Sequence, residues 1–178
     1  TNVSATAGDT QATASWNAPS STGGSTITSY TVTASPEDQT VIVNGWTHTA
    51  IFSGLTNGTA YTFTVVATNS VGDSGVSTPS STVTPATVPG ASTNVYATAG
   101  DTQATVSWNA PSSTGGSTIT GYKVAASPGG QIVTVGGSAH AATFTGLTNG
   151  TAYIFTIIAT NSVGDSSPST PSSTVTPA

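Results

Sequence analysis

The chain has 178 residues, of which 35% are hydrophobic and 4% charged, and its net charge at pH 7 is −5. Lys123 is the sole Lys or Arg, so the basic footprint that neutralises phosphates is missing and nucleic-acid partners are excluded. Cysteine is absent, which removes disulfides and thiolate metal sites, and no apolar run is long enough to form a membrane-spanning helix, so no membrane insertion is expected.

The first strand signal is Val3–Ala7, which stops at Gly8-Asp9. Ala12–Trp16 follows within reach of a hairpin, and Pro19-Ser20-Ser21-Thr22-Gly23-Gly24 breaks the chain before Tyr30–Ala34. Ser35-Pro36 turns the chain into Gln39–Val43, and Thr49–Phe52 leads to a turn at Asn57-Gly58. Tyr61–Asn69 is the longest run, and Val71-Gly72-Asp73-Ser74 separates it from a last short strand at Ser81–Thr84. Seven short strands with turn signals between them and no helix predict an all-β fold of two facing sheets, because each sheet must bury one face.

The pattern then repeats. Trp16 recurs as Trp108, Tyr30 as Tyr122, Phe52 as Phe144, Leu55 as Leu147 and Tyr61 as Tyr153, every pair 92 positions apart and without a gap. Roughly three-quarters of the aligned positions are identical, which marks an internal duplication. Residues 1–86 form domain 1 and residues 93–178 domain 2, with residues 87–92 a short Pro-containing linker, expected to be semi-rigid. The absence of Met and the start at Thr1 suggest a processed product or a piece of a longer repeat array; no signal-peptide leader is evident.

The two copies act as a mutation series. Thr40, Ile42 and Asn44 become Ile132, Thr134 and Gly136, whereas Gln39, Val41 and Val43 persist as Gln131, Val133 and Val135. Likewise Thr47, Thr49, Ile51 and Ser53 change while His48, Ala50 and Phe52 are kept. Drift on one parity and retention on the other is expected of half-buried strands, so Val41, Val43, Ala50 and Phe52 are predicted to face inward. The predicted core adds Trp16, Tyr30, Leu55 and Tyr61, with Trp108, Tyr122, Phe144, Leu147 and Tyr153 in the second copy.

The string GLTNGTAYTFTVVATNSVGDS, with Trp16 upstream and Tyr30 after a Gly-rich turn, resembles fibronectin type III domains, especially the Thr-rich kind of secreted bacterial proteins. The resemblance covers nearly the whole chain and implies two tandem seven-stranded immunoglobulin-like β-sandwiches. It makes Trp16 and Trp108 core residues of the second strand and implies a tyrosine corner, with Leu55 beside Tyr61 and Leu147 beside Tyr153. Some animal members present Arg-Gly-Asp in the loop before the last strand; here that loop reads Val71-Gly72-Asp73, so that ligand activity does not carry over.

No catalytic, metal or cofactor site is expected. Glu37-Asp38 is the one adjacent acid pair, and Gly129-Gly130 replaces it in the second copy, so it reads as a turn. Asp9, Asp73, Asp101 and Asp165 each sit beside Gly, where Asp typically bonds nearby backbone. His48 and His140 are the only candidate general bases, but no Gly-x-Ser-x-Gly elbow accompanies them. Lys123 is matched by Thr31, which rules out an isopeptide crosslink shared by both copies.

Two features point to binding. Trp46, matched by Ser138, lies on the variable, outward parity at a turn; it is a candidate carbohydrate contact, the other reading being simple packing across a domain boundary or onto a neighbour. Asn2, Asn57 and Asn149 sit in N-glycosylation patterns, so glycans are candidate partners. A surface so poor in charge leaves edge strands without the usual lysines and suits either glycan cover or packing against neighbours. The leading expectation is therefore an extracellular or cell-surface, non-enzymatic structural or adhesive repeat module, a segment of a fibre, sheath or adhesin array that meets copies of itself or further repeats. The alternative is an accessory spacer or weakly carbohydrate-binding region of a secreted polysaccharide-degrading enzyme.

Overall fold

The computed structural model describes all 178 residues and contains strands but no helix. The chain divides into two compact units, Thr1–Ala86 and Thr87–Ala178. Unit 1 contains β1 (Ser4–Ala7), β2 (Gln11–Ser15), β3 (Ile27–Ser35), β4 (Thr40–Asn44), β5 (Thr49–Ser53) and β6 (Thr62–Asn69). They form two antiparallel sheets, ordered β1-β2-β5 and β4-β3-β6. Unit 2 repeats this with β7 (Thr93–Gly100), β8 (Gln103–Asn109), β9 (Gly121–Ser127), β10 (Ile132–Gly136), β11 (Ala141–Thr145) and β12 (Ile154–Thr160), ordered β11-β8-β7 and β10-β9-β12.

Val, Thr, Tyr and Phe fill these strands because branched and aromatic side chains pack well on a pleated, half-buried surface. Alternation then sorts them. On β5, Ala50 and Phe52 are buried while Ile51 between them is 63% exposed. On β4, Val41 and Val43 are half-buried against the core and Ile42 is 69% exposed. Each unit has its own core: Trp16 meets Tyr30 edge-on at 5.4 Å between ring centres, and Phe52 meets Phe63 at 4.9 Å, in unit 1. The matching pairs in unit 2 lie at 5.3 and 4.9 Å. Offset and tilted aromatic pairs of this kind add about 0.5–1.5 kcal/mol each beyond their buried area.

The seventh strand of each copy, expected at Ser81–Thr84, does not form; each unit has six strands, and Val83 makes only an isolated bridge to Tyr61. A serine ladder takes its place along β6. Ser74, Ser77 and Ser80 donate their N–H to the carbonyls of Ala67, Val65 and Phe63 at 2.8, 3.0 and 2.9 Å. Their Oγ atoms accept the N–H of the same three residues at 3.0, 2.9 and 3.0 Å. Each hydroxyl then donates to the carbonyl of the next residue, Gly75, Thr78 or Ser81. Three ladder residues thus face two strand residues, a bulge at every rung, and a serine oxygen stands where a regular strand would present a carbonyl. Pro79, which has no N–H, falls between rungs where none is needed. Unit 2 repeats the ladder with Ser166, Ser169 and Ser172 against Ala159, Ile157 and Phe155.

Candidate functional site

The most exposed aromatic, Trp46, is held out from unit 1 with 81% of its surface accessible. Asn44 builds its turn: the Oδ1 atom accepts from the N–H groups of Trp46 and Thr47, both at 3.1 Å, and from Thr47 Oγ1 at 2.9 Å. Gly45 is required there, because a Cβ would run into the carbonyl of Ile27 on the adjoining strand. Trp46 borders a groove of about 450 Å³ that Pro19, Ile27, Tyr30 and His48 also line. In unit 2, Asn44 and Trp46 are replaced by Gly136 and Ser138, so neither the side-chain acceptor nor the ring is present.

His48 lies on the inner side of this groove among aromatics rather than acids. Its Nε2 is 3.4 Å from Tyr30 Oη, and its ring centre lies 6.4 Å from that of Trp16. Burial pushes the Tyr30 phenol above its ordinary pKa, so at neutral pH it stays a neutral hydroxyl. An imidazole facing a neutral phenol lacks the carboxylate that orients and stabilises a catalytic histidine. No three His, Cys, Asp or Glu side chains converge as a metal site would need.

The side-chain carboxylates other than that of Asp38 have structural partners. Tyr61 Oη accepts the N–H of Thr56 at 3.1 Å and donates to Glu37 Oε1 at 2.9 Å. In unit 2, Tyr153 Oη accepts from Thr148 N–H at 3.2 Å. Leu55 and Leu147 are buried beside these phenols, with Tyr61 and Tyr153 0% and 8% exposed. Asp9 and Asp73 bond side chains rather than nearby backbone: Asn57 Nδ2 donates to Asp9 Oδ1 at 2.8 Å, and Thr68 Oγ1 donates to Asp73 Oδ1 at 2.6 Å. Asp165 additionally receives Lys123 Nζ at 2.6 Å. The lysine's hydrogen bond, followed by that of Thr160, holds the Asp165 carboxyl below the usual carboxylate range.

Two of the three glycosylation-pattern asparagines have their side chains engaged in hydrogen bonds. Asn57 Oδ1 also accepts the Thr10 N–H at 2.9 Å, so the side chain clamps the β1–β2 turn to the Asn-Gly turn. Asn149 does the same for Thr102 and Asp101, at 2.8 and 2.9 Å. Asn2 is exposed, with a φ of 52°. The clamp escapes local sequence reading because its partners lie 48 residues apart; its trace is the recurrence of Asp and Asn in both copies. The grouping therefore comprises an exposed aromatic at Trp46 and a set of structural locks, and it brings no nucleophile, base and carboxylate together.

The fibronectin type III domain model matches residues 1–83 and again 89–175. Endoglucanase B of Cellulomonas fimi is 36% identical over 167 residues, which cover 88% of this chain and 16% of that protein. Chitinase A1 of Niallia circulans is 33% identical over 161 residues, covering 86% of this chain and 22% of that one. The chain thus spans about a fifth of the length of these relatives. Among solved structures, the chicken CNTN1 FN1–FN3 domains superpose with a TM-score of 0.55 at 24% identity over 99% of this chain and 65% of that one. A two-domain fibronectin type-III segment of chicken tenascin gives 0.50 at 24% identity, over 98% and 97%; at this identity both bear on the fold alone. With the sandwich, the tyrosine corner and two matches to the family model in hand, the chain belongs to the fibronectin type III family, as a tandem pair of its domains.

Proposed function

We propose that this pair is a non-catalytic spacer within an extracellular polysaccharide-degrading enzyme. The observation that carries this reading is the pairing of coverage and identity: more than four-fifths of the chain aligns, at 33–36% identity, inside an endoglucanase and a chitinase of which it spans only a small part. Two compact units, each with its own core, suit a spacer, since folded domains placed between a catalytic module and its substrate anchor limit how closely the two approach. An antibody against the pair, applied to culture medium of the source organism, tests it. The expected catch is a larger protein that hydrolyses an insoluble polysaccharide; recovery of the pair in a cell-surface fibre, with no such activity, restores the adhesive reading and removes this one.

Trp46 supports a second, compatible role as a weak sugar contact. Its exposed ring beside a groove lined by Pro19 and Tyr30 is the arrangement on which a pyranose stacks. Sedimentation with cellulose or chitin compares the chain with Trp46→Ala: a several-fold drop in the bound fraction supports the contact, and equal retention removes it.

A further inference from the structure

The internal repeat places two equivalent grooves in different circumstances. In unit 2, the segment leading into β7 lies in one of them. The Thr87 N–H donates to the Gly115 carbonyl at 2.8 Å and the Gly90 N–H to the Ser113 carbonyl at 3.0 Å. Asn161 Nδ2 donates to both Thr87 O and Thr114 O, at 2.8 and 2.9 Å. A methyl group on Gly115 would run into the carbonyls of Thr87 and Val88, and one on Gly164 would meet Val88 Cγ1 at 3.3 Å. Residues 87–90 are therefore not a free tether; they are fastened to unit 2 through their backbone, and Asn161, Gly115 and Pro89 are buried.

Unit 1 has the same receptor. Ser21, Gly23, Asn69 and Gly72, the counterparts of Ser113, Gly115, Asn161 and Gly164, line a groove of about 300 Å³. The Gly23 N–H donates to Ser21 Oγ at 3.3 Å, as Gly115 does to Ser113 Oγ at 3.1 Å, and the two glycines have φ of 66° and 72°. Asn69 Oδ1 accepts from Val71 and Gly72 at 2.9 and 3.2 Å, and Asn161 Oδ1 from Val163 and Gly164 at 2.8 and 3.1 Å. The difference is at Nδ2: in unit 1 it donates only to Thr22 O, at 2.7 Å, although the amide carries two donors. Gly23 is exposed where Gly115 is buried, and a Cβ on Gly23 would meet only Asn69 Nδ2, at 3.8 Å.

We propose that this groove of unit 1 is a docking site for an extended segment of the Thr87–Ser92 sequence, Thr-Val-Pro-Gly-Ala-Ser, joined directly ahead of Thr1. The point of departure is right: Thr93 pairs with Asn109 in unit 2, and the Thr1 nitrogen donates to Asn17 O at 2.8 Å in unit 1, so a segment leaving Thr1 starts from the same place relative to the groove. Covalent attachment makes capture intramolecular, which favours it over the same segment of another molecule. Recognition is by main-chain hydrogen bonds and by close approach of the segment's backbone to the groove's glycines, so it selects an extended backbone. This inference stands apart from the enzymatic context proposed above.

The test adds Thr-Val-Pro-Gly-Ala-Ser, or as a control Gly-Ser-Gly-Ser-Gly-Ser, ahead of Thr1 of the full chain and reads amide hydrogen exchange and side-chain amide resonances by NMR. Docking slows exchange at the amide of the added Gly, the counterpart of Gly90, by at least about tenfold over the residue at that position in the control, and it moves the Asn69 Nδ2 signals toward those of Asn161. Asn69→Ala in the extended chain abolishes that protection while β3 and β6 amides stay protected. Exchange as fast as in the control overturns the proposal. So does protection that grows with protein concentration, which would assign the groove to a second molecule.

Discussion

Ser80→Ala tests the serine ladder most sharply. Ser80 is 6% exposed, and its Oγ accepts the Phe63 N–H at 3.0 Å while donating to Ser81 O at 2.8 Å. Alanine preserves the backbone rung but leaves a buried N–H without an acceptor, which costs about 1–3 kcal/mol. For a unit of this size each kcal/mol lowers the melting temperature by about 4–8 °C. The cost should follow burial along the ladder: Ser74 is exposed and Ser77 half-buried, so water can replace the lost oxygen increasingly well and the losses run Ser80 > Ser77 > Ser74. Unit 2 supplies an internal control, because Ser166 is 6% exposed and Ser166→Ala should therefore cost more than Ser74→Ala. Two units need not melt together, so residue-level hydrogen exchange in urea is the appropriate assay, with exposed Ser81→Ala as the reference. Unchanged protection of the Phe63 amide in Ser80→Ala, or equal losses at Ser74 and Ser80, would refute the ladder's energetic role.

Asn57→Ala removes the acceptor of Thr10 N–H and the donor to Asp9; thermal denaturation should show a loss of about 1–2 kcal/mol in unit 1, with unit 2 unaffected. At the Glu37-Asp38 turn, φ is 82° and 52°, where unit 2 has Gly129 and Gly130 at 94° and 66°. Gly129→Ala should thus destabilise unit 2 by about 1 kcal/mol in urea titration, since an L-residue resists the left-handed region. Asp165, with its folded pKa depressed, contributes stability above the ordinary carboxylate range and loses it as pH falls through the lower folded value. Lys123→Thr, the residue of the first copy, should raise the Asp165 midpoint in an NMR titration and leave stability at neutral pH nearly unchanged, because the pair is solvent-exposed.

Most of the sandwich was legible because period-two alternation has local physical causes. The drift of Ile42 and Ile51 against the persistence of Val41, Ala50 and Phe52 separated outer from inner faces before any coordinates. The ladder was not legible in the same way. Its serines recur every third residue, a period that belongs to neither strand nor helix, and Ser81–Thr84 resembled a strand by composition alone. At the candidate site, exposure of Trp46 followed from parity, but its Asn44 turn and the groove beside it depend on Ile27 and Pro19, which sequence spacing does not connect. The Asp9–Asn57 clamp and the Tyr61–Glu37 hydrogen bond were hidden for that reason too: each joins turns that only the folded sheets bring together.

The bulge at every rung has a further consequence for the outer margin of the β4-β3-β6 sheet. The ladder spends three residues where a strand spends two, and the carbonyls of Gly75, Thr78 and Ser81 are already taken by their own chain's hydroxyls. An incoming strand from another molecule therefore finds no matching repeat of donors and acceptors along that side. In a protein with a single lysine, mismatched periodicity supplies there the protection against runaway sheet growth that repulsive side chains supply elsewhere.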